Sequence, residues 1–144
     1  MKTTKEDLMI KMFERYGSLN EVKIEEGSAY FYSSDLKKLT DDRVLSALGA
    51  LPFLIILDGF IVNIYSFCID DSMREMEEED VLRILNSVNS ETRYGRFYRD
   101  GEKDVNWEFS FEIGEQIEDI APYLLSCAEG IKKIVRRMRD LHEK

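Results

Sequence analysis

Apolar positions along this chain recur with two different periods, and the places where the period changes mark the elements. Thr4 followed by Asp7 forms a capping-box pattern, after which Leu8, Met9, Met12, Phe13 and Tyr16 recur at helical spacing before Gly17, so the chain opens on a short amphipathic helix. From Glu21 the pattern alternates, with Val22 and Ile24 separated by charges. Glu26-Gly27-Ser28 then supplies turn residues and Ala29 to Tyr32 a second strand, which together predict a hairpin. Asp41 and Asp42 before Val44, Leu45, Ala47 and Leu48 predict a short helix from Thr40 to Gly49. Phe53 to Leu57 and Phe60 to Ile69 flank Asp58-Gly59, a pair suited to the positive φ angles of a tight turn. Both flanks are apolar on both faces, the pattern of central strands.

The second half repeats the logic. Ser72 and Glu75 resemble a capping box, and Met73, Met76, Val81, Ile84, Leu85 and Val88 keep one helical face apolar as far as Asn89. Thr92 to Arg99 and Val105 to Ile113 flank Asp100-Gly101 as a second hairpin. Val105, Trp107, Phe109, Phe111 and Ile113 alternate strictly with Asn106, Glu108, Ser110 and Glu112, so one face is buried and the other wet. Ile117, Ile120, Leu124, Cys127, Ala128, Ile131, Ile134, Val135, Met138 and Leu141 form the stripe of a long last helix, with Pro122 marking its effective start or a kink. Acids at 115, 118 and 119 and the bases Lys132, Lys133, Arg136, Arg137 and Arg139 suit the dipole of that helix. No linker, repeat or low-complexity tract divides the chain, which is expected to be one α+β domain over residues 1–144.

Charge narrows the partners. The 20 Lys and Arg stand against 29 Asp and Glu, a formal charge of −9 that repels nucleic acid and anionic membrane surfaces. The N-terminus carries no signal-peptide pattern, and the apolar runs are too interrupted to cross a bilayer, so a cytoplasmic protein is expected. Cys68 and Cys127 have no Cys or His at metal-ligand spacing, which argues against zinc. They read as small buried hydrophobes, with a disulfide or redox role as the alternative. His142 is the only histidine and is the third residue from the end of the sequence, a poor place for a general base. There is no Gly-x-Ser-x-Gly elbow, phosphate-binding Gly-rich loop or His-Glu-x-x-His. No catalytic residue, metal site or cofactor is expected.

Three charged tracts stand out. Asp70, Asp71, Glu75, Glu77, Glu78, Glu79 and Asp80 form the densest acidic run, without the spacing of an EF-hand loop, and read as a solvated helix start. The bases from Lys132 to Arg139 read as a solvated helix end. Arg93, Tyr94, Arg96, Phe97, Tyr98 and Arg99 interleave basic and aromatic side chains. If Phe97 points inward with Trp107 and Phe109, then Tyr94, Arg96 and Tyr98 share an exposed strand face of the kind that makes binding hot spots. Ordinary cross-strand packing, with Glu108 opposite for example, is the competing reading.

The order Leu85-Asn86-Ser87-Val88-Asn89, Tyr94-Gly95-Arg96-Phe97-Tyr98, Asp100-Gly101, alternating strand and final helix resembles the YbjN-like family, with Asn89, Gly95, Arg96, Phe97 and Gly101 carrying the likeness over roughly residues 50 to 140. The resemblance implies the type III secretion chaperone-like fold, a curved antiparallel sheet with helices packed on one face, often dimeric, and implies no reaction. The expected function is a bacterial, non-enzymatic protein-interaction domain of chaperone or adaptor type, homodimeric, contacting a protein partner through Tyr94, Arg96 and Tyr98. The alternative is a small-molecule sensor with a pocket between the sheet and the 115–141 helix, against Trp107 and the tyrosines.

Overall fold

The computed structural model describes residues 4–15, 18–23, 28–33, 51–67, 75–114, 116 and 118–142. Among these residues lie α1 (Lys5–Glu14), β1 (Ser18–Lys23), β2 (Ser28–Ser33), β3 (Leu51–Asp58), β4 (Ile61–Phe67), α2 (Glu78–Glu91), β5 (Arg96–Arg99), β6 (Val105–Glu112) and α3 (Ala121–His142). The strands form one six-stranded sheet in the order β1-β2-β3-β4-β6-β5, with every neighbouring pair antiparallel. The expected helix from Thr40 to Gly49 and Cys68 lie outside the described residues.

Local chemistry sets the boundaries. At the start of α1 the Thr4 hydroxyl accepts the Asp7 N–H at 3.1 Å and the Asp7 carboxylate accepts the Thr4 N–H at 3.3 Å, the reciprocal cap the sequence predicts. Gly59 turns β3 into β4 with φ +62. Two expectations are corrected. The helix placed from Ser72 onward begins instead at Glu78: residues 75–77 are turn, bend and coil, and Ser72 lies outside the described residues. Its first turn carries Glu78, Glu79 and Asp80, which the dipole stabilises without a side-chain cap. The strand placed from Thr92 begins instead at Arg96; the β5–β6 connection covers residues 100–104, the span left between Arg99 and Val105, and Lys103 rather than Gly101 takes its positive φ, +67. The Asp100 carboxylate organises it by accepting the Glu102 and Asp104 N–H groups at 2.9 and 3.0 Å.

Register fixes which residues share a face, because directly opposed residues on neighbouring strands project to the same side. Phe53 and Ile55 on β3 meet Ser66 and Ile64 on β4, which meet Trp107 and Phe109 on β6; Phe97 on β5 meets Trp107 in turn. All three helices pack on this side, since Leu8, Met9, Met12 and Phe13 of α1, Val81, Ile84, Leu85 and Val88 of α2, and Leu124, Cys127, Ala128, Ile134 and Met138 of α3 join the strand residues in one buried cluster. Burying a single large apolar side chain in this way contributes about 1.5–3 kcal/mol. The other face carries Arg96, Tyr98, Glu108, Ser110, Tyr65 and Asn63 with no helix over it among the described residues.

Helix α3 reaches the sheet at a glycine. A Cβ on Gly130, which is itself buried, would run into the Phe97 ring, so α3 and β5 approach to a distance no other residue permits. In an exposed helix Gly→Ala gains up to about 1 kcal/mol. Here Gly130→Ala is expected to destabilise instead, by roughly 1–3 kcal/mol as overpacking does, read as a lower urea midpoint. A raised midpoint would mean that Phe97 does not seat there.

Candidate functional site

The region singled out by the sequence is a corner built where α2 ends, β5 begins and α3 starts. Helix α2 stops as the Thr92 hydroxyl donates to the Val88 carbonyl at 2.7 Å and the Thr92 N–H to the Asn89 carbonyl at 3.3 Å. Asn89 is thereby aimed at β5. Its Nδ2 donates to the Phe97 carbonyl at 2.9 Å and its Oδ1 accepts the Phe97 N–H at 2.8 Å, so one carboxamide satisfies both backbone groups of an edge residue. Three residues earlier in the chain than Phe97, the Ser126 hydroxyl of α3 accepts the Tyr94 N–H at 3.0 Å and donates to the Tyr94 carbonyl at 2.9 Å, which also receives the Trp107 indole N–H at 3.1 Å. Between them Gly95 takes φ +84, and a Cβ there would strike the Trp107 indole and the Glu108 carbonyl.

This backbone separates the three candidate contact residues. Arg96 and Tyr98 lie on β5 and project from the open face, Arg96 exposed and Tyr98 half-buried. Tyr94 does not share that face: it precedes the strand, and the left-handed turn at Gly95 sends its ring to the helix side. There it packs edge-on to Tyr123 of α3 at 5.0 Å and to Phe109 at 5.6 Å, with the Arg93 guanidinium 5.3 Å over it. The alternation assumed from sequence fails at the one residue that needs no Cβ. Phe97 does point inward, with 2% exposure, opposite Trp107.

On the open face Arg96 lies opposite Glu108 and Tyr98 opposite Asn106. Asn63, Tyr65, Gly95, Arg96, Glu108 and Ser110 line a shallow polar groove across β4, β6 and β5, in which the Ser110 hydroxyl donates to Asn63 Oδ1 at 2.6 Å. Partial burial is the main cause that raises the Tyr98 phenol above its usual range, and the negative charges of Glu108 and Asp100 add to it. Asn106 interrupts the wet side of β6: it is buried, and its Nδ2 donates to the Asp100 carboxylate at 2.8 Å, tying the strand to its loop. The arrangement offers a cation, an anion and phenol edges on one rigid surface, chemistry for recognition by hydrogen bonds and ring contacts.

The remaining candidates take structural places. Glu75, Glu77, Glu78 and Glu79 are exposed at and before the start of α2, and no cluster of three metal-ligating side chains exists among the described residues. Of the α3 bases, Lys133 and Arg137 pair with Glu91 on α2 at 3.4 and 3.1 Å, and Arg137 is the main cause that holds the Glu91 carboxyl below its ordinary value of 4.5. Cys127 is buried in the core. Between the sheet and α3, where the sensor alternative places its pocket, the described aromatic residues pack on one another: Trp107 is fully buried, stacked on Phe109 and edge-on to Phe53, and Tyr123 lies 4.5 Å from Phe109. Burial and the neighbouring Glu118, which accepts its hydroxyl at 3.2 Å, push the Tyr123 phenol up to about 12. Ser126 and Gly130, which shape the corner from α3, escaped the sequence reading. Their only signal is a small or polar residue on an otherwise apolar helical stripe.

No family model matches the sequence, and no curated protein matches it. Among solved structures, the chain matches that of YbjN from E. coli, described as a candidate transcription regulator. The likeness covers 99% of this chain and 96% of that one, with a TM-score of 0.52 and 10% sequence identity. The chain thus has the YbjN-like α+β fold that its sequence resembles. Among the described residues no helix is long and apolar enough to cross a membrane.

The Glu91 pairing gives a pH signature. Because its carboxyl is lowered in the folded state, the contribution to stability is present above pH 4.5 and is lost as the pH falls through the lower folded value. Glu91→Gln is therefore expected to lower the urea midpoint slightly above about pH 4.5, by the small amount an exposed pair is worth, and to converge with wild type as the pH falls, so that the variant's acid limb is the flatter one. An unchanged acid limb in the variant would show that Glu91 does not couple α2 to α3.

Proposed function

We propose that this chain is a non-enzymatic protein-interaction domain of chaperone or adaptor type, acting as a cytoplasmic homodimer and receiving a protein partner on the open face of β5 and β6. The carrying observation is the two-sidedness of the sheet. The described helices occupy one face, while on the other Arg96 stands exposed beside half-buried Tyr98 and Tyr65 on strands braced by the corner beneath them. Arginine and tyrosine at a preorganised site give ring area together with charge-assisted hydrogen bonds at small entropic cost. Tyr94 supports the face from its margin, its ring fixed in the aromatic cluster.

The likeness to YbjN favours a binding role, and a regulator of transcription can act by holding another protein. The net charge of −9 opposes direct contact with DNA. A protein partner with an acidic group for Arg96 and a donor for Glu108 fits the groove.

Affinity capture from the source cell with wild type, Arg96→Ala/Tyr98→Ala and Tyr94→Ala, combined with native mass spectrometry of each, tests the reading. The double variant is expected to keep its thermal midpoint and lose at least tenfold in partner recovery, as removal of two hot-spot residues does. Tyr94→Ala is expected to lower stability by about 2–4 kcal/mol, because it empties part of the aromatic cluster. Equal recovery by the folded double variant would remove the open face from the account, and a monomeric wild type would remove the homodimer.

A further inference from the structure

An open sheet ends in strands whose outward N–H and C=O groups can pair with another chain. On β5 those outward groups belong to Phe97 and Arg99, because antiparallel pairing turns alternate residues toward and away from β6. Asn89 occupies those of Phe97, at the middle of the edge, as a strand would. Its carboxamide presents one acceptor and one donor, at 2.8 and 2.9 Å, to the same N–H and C=O that a neighbouring strand would engage.

The turn that carries Asn89 is held from outside itself. The last turn of α2 contains no basic residue, and it places Glu91 at the helix end where the dipole disfavours an acid. What compensates is α3, through Lys133 and Arg137 at 3.4 and 3.1 Å, in ion pairs whose Glu91 side chain is 48% exposed.

We propose that the last turn of α2 is a cover over the β5 edge, latched by Asn89 onto Phe97 and by Glu91 onto Lys133 and Arg137, whose release opens the edge to β5 of a second copy of this chain. A second copy fits because, with Phe97 opposite Phe97, each supplies the other with both hydrogen bonds that Asn89 supplies now. The same register sets Arg96 opposite Tyr98 twice over, a cation beside a phenol ring, and opposes no two arginines. This contact is edge to edge, and so is distinct from any contact through the open face.

Disulfide trapping reads the register directly. Arg96→Cys and Tyr98→Cys, made separately with Cys68→Ser and mixed in equal amounts, can bridge only if position 96 of one molecule meets position 98 of the other, at a spacing a disulfide tolerates. With Asn89 and Glu91 in place little bridging is expected. With Asn89→Ala/Glu91→Ala added, bridging in the mixture should rise about tenfold, the population shift that follows from losing two hydrogen bonds of modest net strength, while each cysteine variant alone stays at background. No rise, or an equal rise in the unmixed variants, overturns the proposal; bridging already present with Asn89 and Glu91 intact reports an open-face contact and overturns it too. Should the double release unfold the domain, Glu91→Ala alone keeps the test, because the Phe97 amide must then exchange faster with solvent. Unchanged exchange refutes the latch.

Discussion

The backbone of Phe97 is the constraint on which the second half of the molecule depends. Its N–H and C=O face outward from the last strand and would be costly to leave unmet under a helix, and Asn89 meets both. Its ring goes the other way, into the space that Gly130 of α3 leaves by lacking a Cβ. One residue therefore joins the end of α2, the edge of the sheet and the middle of α3. The positions of Gly95, Trp107 and Ser126 follow, because the chain entering β5 has to pass under α3 with Tyr94 bonded at both its N–H and its C=O.

Much of this fold was legible because period and turn chemistry agree along the sequence. The strict alternation of β6, the Gly59 turn, the Thr4 cap and the stripe of α3 are local signals that tertiary contacts reinforce. What escaped was of another kind. Asn89 reads as a helix terminator until β5 is beside it, and Gly130 and Ser126 read as a flaw and a neutral residue on an apolar stripe. Asn89 takes its meaning from Phe97 across the start of β5, and Gly130 and Ser126 take theirs from Phe97 and Tyr94, more than thirty residues away. The start of α2 was misplaced because Ser72 and Glu75 imitate a cap, whereas three acids at the real start need none.

The candidate site was legible in composition and misread in geometry at one residue. Alternation assigned Tyr94, Arg96 and Tyr98 to one face, and it holds for the latter two, which lie on a strand. It fails across Gly95, whose φ of +84 reverses the chain's path and gives Tyr94 to the aromatic cluster. The result divides labour between neighbours. Tyr94 stiffens the corner from inside, while Arg96 and Tyr98 present their groups outside, on strands that the same corner holds still.

The strand order has a consequence for how the chain is made. Strands β1 to β4 form a sequential meander and are complete before β6 exists, so the inner edge of β4 waits for a partner that is encoded beyond a helix and a further strand. Until β6 is synthesised and inserts between β4 and β5, the apolar residues Val62 and Ile64 border an unpaired edge, the condition under which nascent sheets meet one another wrongly. The molecule's most exposed moment thus comes during its own translation, and the β5–β6 hairpin that carries the recognition residues is also the piece that ends it.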